Sequence, residues 1–136
     1  MKMRLQELTD TIAPFLKDHG YKKNRLNWYK PVGDITIVFA VQKSQYGSEL
    51  WYYFFGIGIN ELSESAVNSA SKCCIAERLD NIVNGRTLSF DILQAAIARW
   101  EDRFGDIDKL RTAAIEGKLP RMTEKRAITY LTTVHF

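Results

Sequence analysis

The stretch ITIVFAVQKSQYGSELWYYFFGIGI, residues 35–59, decides the fold. It contains two runs rich in β-branched and aromatic residues, 35–41 and 50–59, separated by a polar segment that includes Gly47. Such runs favour β-strands, and a glycine in a short polar segment favours a turn. The pattern therefore predicts two neighbouring antiparallel strands at the centre of a sheet.

Both predicted strands are apolar on each face, whereas a strand with one wet face alternates apolar and polar residues. In the second strand one face carries Trp51, Tyr53, Phe55, Ile57 and Ile59, and the other carries Leu50, Tyr52 and Phe54. One face must meet helices. The other face needs cover from the same chain, from a second copy or from a different partner. Within the chain, that cover would come from residues 61–72, a loop or short exposed helix, or from the C-terminal tail.

The aromatic residues of this stretch are candidate contacts for a partner protein. Tyrosine and tryptophan are enriched at interfaces because they combine a large contact area with a polar group. The candidate partner-binding residues are Trp51, Tyr52, Tyr53, Phe55 and, in the predicted turn, Tyr46.

The rest of the chain supplies helices and further strands. Pro14 is expected to kink or restart the first helix, and Gly20 to end it in a left-handed cap. The tail, residues 123–136, fits a helix or a strand, and a helix is favoured. Apolar residues at three- and four-residue steps predict helices at 5–19, 93–104 and 106–116.

Two more strands are predicted, at 26–29 and 73–79, and the second is expected to place Cys73 and Ile75 on one face. The short turns between strands favour a meander over a parallel nucleotide-binding sheet. We therefore predict a single α+β domain over residues 1–136. It has an antiparallel sheet of about four strands, with the N-terminal helix and the C-terminal helices packed on it.

Composition is typical of a soluble globular domain, with 136 residues, 46% of them hydrophobic and 26% charged. No apolar run reaches the roughly 20 residues that a membrane span needs, so no membrane association is expected. The N-terminus has no apolar core of the kind found in a signal peptide. Cys73 and Cys74 are adjacent and poorly placed for a structural disulfide, which favours a reducing, cytoplasmic location.

Positive charge is concentrated at the N-terminus. The first 30 residues hold seven Lys/Arg against three Asp/Glu, in a chain whose net charge is +3. In the segment 20–30, GYKKNRLNWYK, positively charged residues alternate with aromatic ones, as they do on surfaces that bind single-stranded nucleic acids. The alternative is a lysine-rich helix end followed by a strand whose rings pack inward, and this alternative is favoured. The candidate nucleic-acid contacts are Lys22, Lys23, Arg25, Trp28 and Lys30.

Other motifs are weak. Gly56-Ile57-Gly58 is half of a dinucleotide fingerprint but no helix follows it, so strand glycines are the better interpretation. The adjacent cysteines lack the spacing of zinc ligands, and the chain has two histidines near opposite ends, His19 and His135. We predict no metal, no cofactor and no catalytic residues, and favour a protein that is not an enzyme.

Two segments together resemble a known family. They are FLKDHGYKKNRLNWYK, residues 15–30, and GDITIVFAVQKSQYGSELWYYFFGIGI, residues 33–59. Their order of helix, Gly-aromatic, paired lysines, aromatic strand, Gly-Asp turn and Gln-Lys-Ser strand end resembles the domain-of-unknown-function 4304 family (DUF4304) of small bacterial proteins. The resemblance covers residues 15–61 and implies a cytoplasmic α+β domain with no transferable activity.

The same resemblance singles out Lys43 and Ser44 at the end of a strand and, more weakly, Arg78. They are candidates for a polar site, although a simple turn at Lys43 and Ser44 is favoured. An enzyme site near these residues and Tyr46 stays an alternative.

The leading functional expectation is a non-enzymatic protein-binding module. By analogy with other small stand-alone domains, a toxin-neutralising immunity protein is its specific form. The alternatives are a homodimer paired through sheet faces or edges, and a single-stranded nucleic-acid binder acting through residues 21–30.

Overall fold

The computed structural model describes residues 5–43, 51–80, 82–83, 86–87 and 90–133; side chains at 5–9, 43, 51–52, 80, 82–83 and 86–87 are outside that description. Single 3₁₀ turns occupy Asn60–Leu62 and Ala70–Lys72. The helices are α1 (Leu5–Asp18), α2 (Phe90–Phe104), α3 (Ile107–Ile115) and α4 (Lys125–Thr132). The strands are β1 (Lys22–Asn24), β2 (Asn27–Val32), β3 (Ile35–Lys43), β4 (Trp51–Ile59), β5 (Ile75–Asp80), β6 (Ile82–Val83), β7 (Arg86–Thr87) and β8 (Met122–Thr123).

The described strands form an antiparallel sheet in the order β1-β2-β3-β4-β5-β8, and β6 and β7 pair separately. The predicted α+β class and meander are confirmed. The predicted number of about four strands is wrong, because β1 and β8 extend the sheet at its two edges. These strands have three and two residues, so they are too short to show an alternating pattern.

One face of the sheet packs against the helices. Alternate residues of β3 and β4 face each other in register, for example Phe39 opposite Phe55 and Ile37 opposite Ile57. The aromatic residues of this face contact the helices, and the ring centres of Phe55 and Trp100 are 5.7 Å apart. The helices contribute Ile12, Leu16, Leu93, Ile97, Trp100, Phe104, Leu110, Ala113, Ala127 and Leu131 to this core.

Local signals set the helix ends. Gly20, at φ +89°, ends α1 in the left-handed conformation that glycine adopts without strain. The Asp106 carboxylate accepts from the Lys109 backbone N–H at 2.8 Å and caps α3. Helix α1 runs through the exposed Pro14, so the predicted restart there is wrong. The tail forms α4, as predicted.

The second face of the sheet is covered by the chain itself around Val38, Gly56 and Gly58, through residues 60–74. Val38, on this face, is fully buried. A Cβ added at Gly58 would lie 2.6 Å from Val67, so the two strand glycines make room for this covering segment. Cys73 approaches Gly56 on this second face, whereas Cys74 packs in the helix-side core. The prediction that Cys73 shares a face with Ile75 is wrong, because β5 begins only after the two cysteines.

Candidate functional site

A groove of about 730 Å³ lies between α1 and the β1–β2 hairpin. This volume is within the range of pockets that hold small ligands or side chains of a partner. Helix α1 supplies one wall and β1 the other, with two aromatic rings between them. We call this site the α1–hairpin groove, and it is lined by Asp10, Ala13, Pro14, Lys17, Tyr21, Lys22, Lys23 and Trp28.

The groove exists because the chain turns back sharply after α1. The Tyr21 N–H donates to Leu16 O at 3.0 Å, which brings the start of β1 against the end of the helix. Arg25, at φ +58°, then makes the tight turn between β1 and β2. The Asn27 side-chain amide donates to Asn24 O at 3.2 Å and closes the hairpin.

Two buried aromatic rings form the floor of the groove. Tyr21 is 4% exposed and Trp28 is 2% exposed. The Tyr21 hydroxyl donates to Glu101 Oε1 at 2.6 Å, which ties the floor to α2. Burial and this hydrogen bond raise the pKa of Tyr21 above its ordinary value, so the hydroxyl stays a donor at neutral pH. The floor is therefore apolar and held in place.

The rim of the groove is positively charged. Lys17, Lys22 and Lys23 are exposed, and Asp10 is the one acidic residue among the described residues that line the groove. The Lys23 ammonium lies 5.9 Å from the centre of the Trp28 ring. The groove therefore combines an apolar floor with an environment that favours carboxylates or phosphates.

A family model for a domain of unknown function, DUF4304, matches residues 12–117 of the chain. The chain belongs to the DUF4304 family. The resemblance predicted from the two sequence segments is thus confirmed, and the DUF4304 match extends through α3. It includes the groove from Ala13 to Trp28, whereas Asp10 and α4 lie outside it. No curated protein and no solved structure matches the sequence significantly.

The predicted nucleic-acid contacts of this DUF4304 domain do not form one stacking platform. Trp28 is buried, and β1 directs Lys22 and Lys23 to opposite sides, since they pair with Tyr29 and Trp28. Arg25 lies at the tip of the hairpin.

Lys30, the last of these predicted contacts, is held by intramolecular interactions. Its ammonium donates to His19 O at 3.2 Å and lies 3.8 Å from the Glu101 carboxylate. It also lies 4.8 Å from the centre of the Tyr21 ring. These contacts leave Lys30 behind the floor of the groove.

Two of the predicted partner contacts are core residues. Tyr53 and Phe55 are buried beneath the helices, and burial raises the pKa of the Tyr53 hydroxyl. Trp51 and Tyr52 belong to β4, but their side chains lie outside the described part of the chain, as does Tyr46. The aromatic run therefore supplies the core at Tyr53 and Phe55, and its role at the other three positions stays a prediction.

The predicted polar site is described only in part. Lys43 ends β3, with its side chain outside the description, and Ser44 falls outside it entirely. Arg78 is exposed on β5, in register with Phe54. That Lys43, Ser44 and Arg78 meet in one polar site stays a prediction.

Sequence reasoning identified the lysines of β1 but missed Lys17, Ala13 and Pro14 of α1. Lys17 could have been identified from the sequence, since it is the basic residue of the last turn of α1. Ala13 and Pro14 carried none, because their role depends on how the hairpin folds against the helix.

Neither a metal site nor a membrane span is found among the described residues. No group of three or more His, Cys, Asp or Glu in that part of the chain could hold a metal ion. None of its helices is long and apolar enough to cross a membrane.

Proposed function

We propose that this DUF4304 domain is a non-enzymatic protein-binding module whose α1–hairpin groove takes an acidic segment of a partner protein. The observation that carries this proposal is the presence of an apolar floor and a lysine rim in one groove. In the proposed complex an apolar side chain of the partner contacts Ala13, Pro14 and the floor rings. Neighbouring carboxylates of the partner meet the lysines.

The expected free energies of binding favour recognition by an apolar contact together with ion pairs. An exposed ion pair contributes about 0–1 kcal/mol, so the lysines alone would bind any anion weakly. Burying one Leu or Phe side chain contributes roughly 1.5–3 kcal/mol. The apolar contact therefore supplies most of the affinity, and the lysines select segments in which acidic residues flank the apolar one.

A protein segment fits the groove better than a single-stranded nucleic acid. Nucleic-acid platforms need aromatic faces open to stacked bases. Tyr21 and Trp28 are almost fully buried, and the Tyr21 hydroxyl is already bound to Glu101. The groove can thus accept a compact side chain between its walls but offers no exposed ring on which a base could stack.

The proposal can be tested by selection from a random peptide library displayed on phage, with the full chain as bait. We expect enrichment of peptides with Asp or Glu around a Leu, Ile or Phe. Fluorescence anisotropy would then measure the affinity of a selected peptide for the protein. The double variant Lys17→Gln/Lys23→Gln should bind roughly tenfold more weakly at low salt, since two exposed ion pairs are lost.

The charge-matched control is Arg121→Gln/Lys125→Gln, which removes two positive charges from residues that do not line the groove. It should bind the peptide as the unmodified protein does. If both double variants lost the same peptide affinity, the effect would come from the net charge of the protein and not from the groove, and the proposal would be wrong. If no acidic peptide is enriched and a labelled oligothymidine binds at low salt, the nucleic-acid alternative replaces it.

The toxin-neutralising role is the specific form of this proposal. It requires a toxin that presents an acidic segment, and the supporting observation would be a toxin gene beside this one whose product binds through Lys17 and Lys23. A cytoplasmic location is proposed on the same footing, supported by the free thiols of Cys73 and Cys74.

A further inference from the structure

A second, smaller cleft of about 150 Å³ lies between α2 and the outer part of β5. Strand β8 pairs with β5 at Ile75 and Ala76. Beyond these two positions no other described strand covers the outer edge of β5, and the cleft opens beside it. It shares no lining residue with the α1–hairpin groove.

Two arginines of α2 line this cleft. Arg99 and Arg103 come from successive turns of the helix, with Glu77 of β5 as the one acidic residue among the described lining residues. Arg78 also borders the cleft, but it lies opposite Phe54, so its side chain points to the other face of the sheet. Within the described part of the chain, no ion pair joins Arg99 or Arg103 to a carboxylate. Arg103 instead lies over the Phe104 ring, 4.8 Å from its centre. Arg99 and Arg103 therefore place two positive charges at the cleft without an ion-pair partner among the described residues.

A buried donor without an acceptor lies in the same wall. Trp100 lines the cleft between the two helix arginines and is 3% exposed. Its indole Nε1–H has no hydrogen-bond partner among the described residues. Buried N–H groups are nearly always paired, so an unpaired one beside a cluster of arginines calls for an acceptor.

We propose that this cleft binds the phosphate group of a small phosphate ester. Arg99 and Arg103 donate to its oxygens, and Trp100 Nε1–H donates to a further oxygen. Guanidinium groups match phosphate geometry with paired N–H donors. A tetrahedral phosphate has enough oxygens for both helix arginines and the indole at once, whereas a carboxylate has two. The small volume suits the phosphate group alone, with the rest of the ester in solvent.

Entry of the phosphate requires movement at the mouth of the cleft. The indole nitrogen is buried, whereas Arg99 and Arg103 are exposed. Their long side chains can swing aside and close again on the anion. The indole proton should therefore report binding directly, since its surroundings change from apolar atoms to a phosphate oxygen.

The test is a titration of the ¹⁵N-labelled full chain with inorganic phosphate and with phenyl phosphate, at constant ionic strength. The chain has three tryptophans, so three indole N–H signals are expected. The Trp100 signal, assigned through its sequential backbone connectivity, should shift saturably with both ligands. Arg99→Gln and Arg103→Gln should each weaken binding about tenfold, because each removes a charge-assisted hydrogen bond.

The control variant is Arg121→Gln, which removes an exposed arginine that does not line the cleft; it should leave the titration unchanged. Acetate at the same ionic strength should shift the Trp100 signal far less than phosphate. The proposal is overturned by shifts that never saturate, by equal losses in Arg121→Gln and Arg99→Gln, or by acetate binding as tightly as phosphate. None of these outcomes affects the α1–hairpin groove, because the two sites share no residue.

Discussion

Tyr21 connects the floor of the α1–hairpin groove to α2 through its hydrogen bond to Glu101. We predict that Tyr21→Phe lowers the free energy of unfolding at neutral pH by about 1 kcal/mol, a typical value for one lost hydrogen bond. Glu101 is 27% exposed, so water partly replaces the lost donor. Chemical denaturation monitored by circular dichroism would measure the change.

The same substitution should make the free energy of unfolding decrease less steeply with pH in alkaline solution. Burial and the bond to Glu101 raise the pKa of Tyr21 in the folded protein. The unfolded chain therefore loses this proton above about pH 10, while the folded protein keeps it. The stabilisation is complete below that pH and decreases as the pH rises further. Tyr21→Phe should lose less stability than the unmodified protein between pH 10 and 11; parallel curves would contradict this assignment.

The two cysteines are predicted to be slow nucleophiles in the folded protein. Burial is the main cause that raises the pKa of both thiols, and in Cys73 the neighbouring Cys74 adds to it. Since the thiolate is the reactive form, both should react with a disulfide reagent at least about tenfold more slowly than in the unfolded chain at pH 8. Absorbance of the released thiolate measures the rate. Rapid modification of either thiol in the native protein, located with Cys73→Ser, would contradict this.

At the scale of elements, the segment 60–74 depends on the two glycines of β4. A Cβ at Gly58 would lie 2.6 Å from both γ-methyl groups of Val67. We predict that Gly58→Ala destabilises the protein by about 1–3 kcal/mol through overpacking. Val67→Ala should cost a similar amount through the lost contact. The double variant should be less destabilised than the sum of the two, because the smaller side chain makes room for the added methyl.

The matched control for this cycle uses Gly56, where an added Cβ would meet Phe54 and Cys73 instead of Val67. Gly56→Ala combined with Val67→Ala should therefore be additive within about 0.5 kcal/mol. Thermal or urea denaturation of the six proteins gives both coupling energies. Equal coupling at Gly56 and Gly58 would show that the segment does not rest on Val67 as the structure describes.

The central elements were predictable because their patterns are long. The run 35–41 and residues 51–59 of the second run are strands in the structure, and their apolar character on both faces follows from cover on both sides. The edge strands were not predictable, since two or three residues carry no period. The groove was predictable at Lys22, Lys23 and Trp28. Its α1 wall was not, because that wall becomes part of a groove only once the hairpin, with its turn at Arg25, folds against the helix; Arg25 is a residue that rarely adopts positive φ.

At the scale of the whole molecule, the described chain forms three layers. Four helices cover one face of the sheet, and residues 60–74 cover the other around Val38, Gly56 and Gly58. The sequence left open whether that second face was covered within the chain or by a partner. Cover by the chain itself at Val38 removes the reason for a face-to-face homodimer at this part of the sheet. This is consistent with the proposal that a partner binds at the α1–hairpin groove, at the rim of the sheet.

This arrangement predicts a monomer in solution. A stable homodimer needs roughly 1,200–2,000 Å² of buried surface with a contiguous apolar centre. In the described part of the chain the exposed large apolar side chains lie on five separate segments, at Leu26, Ile92, Ile115, Met122 and Ile128. Light scattering at micromolar concentration should therefore give the monomer mass of 15.7 kDa. A concentration-dependent rise towards twice that mass would favour the homodimer, and loss of that rise in Lys17→Gln/Lys23→Gln would place its interface at the groove.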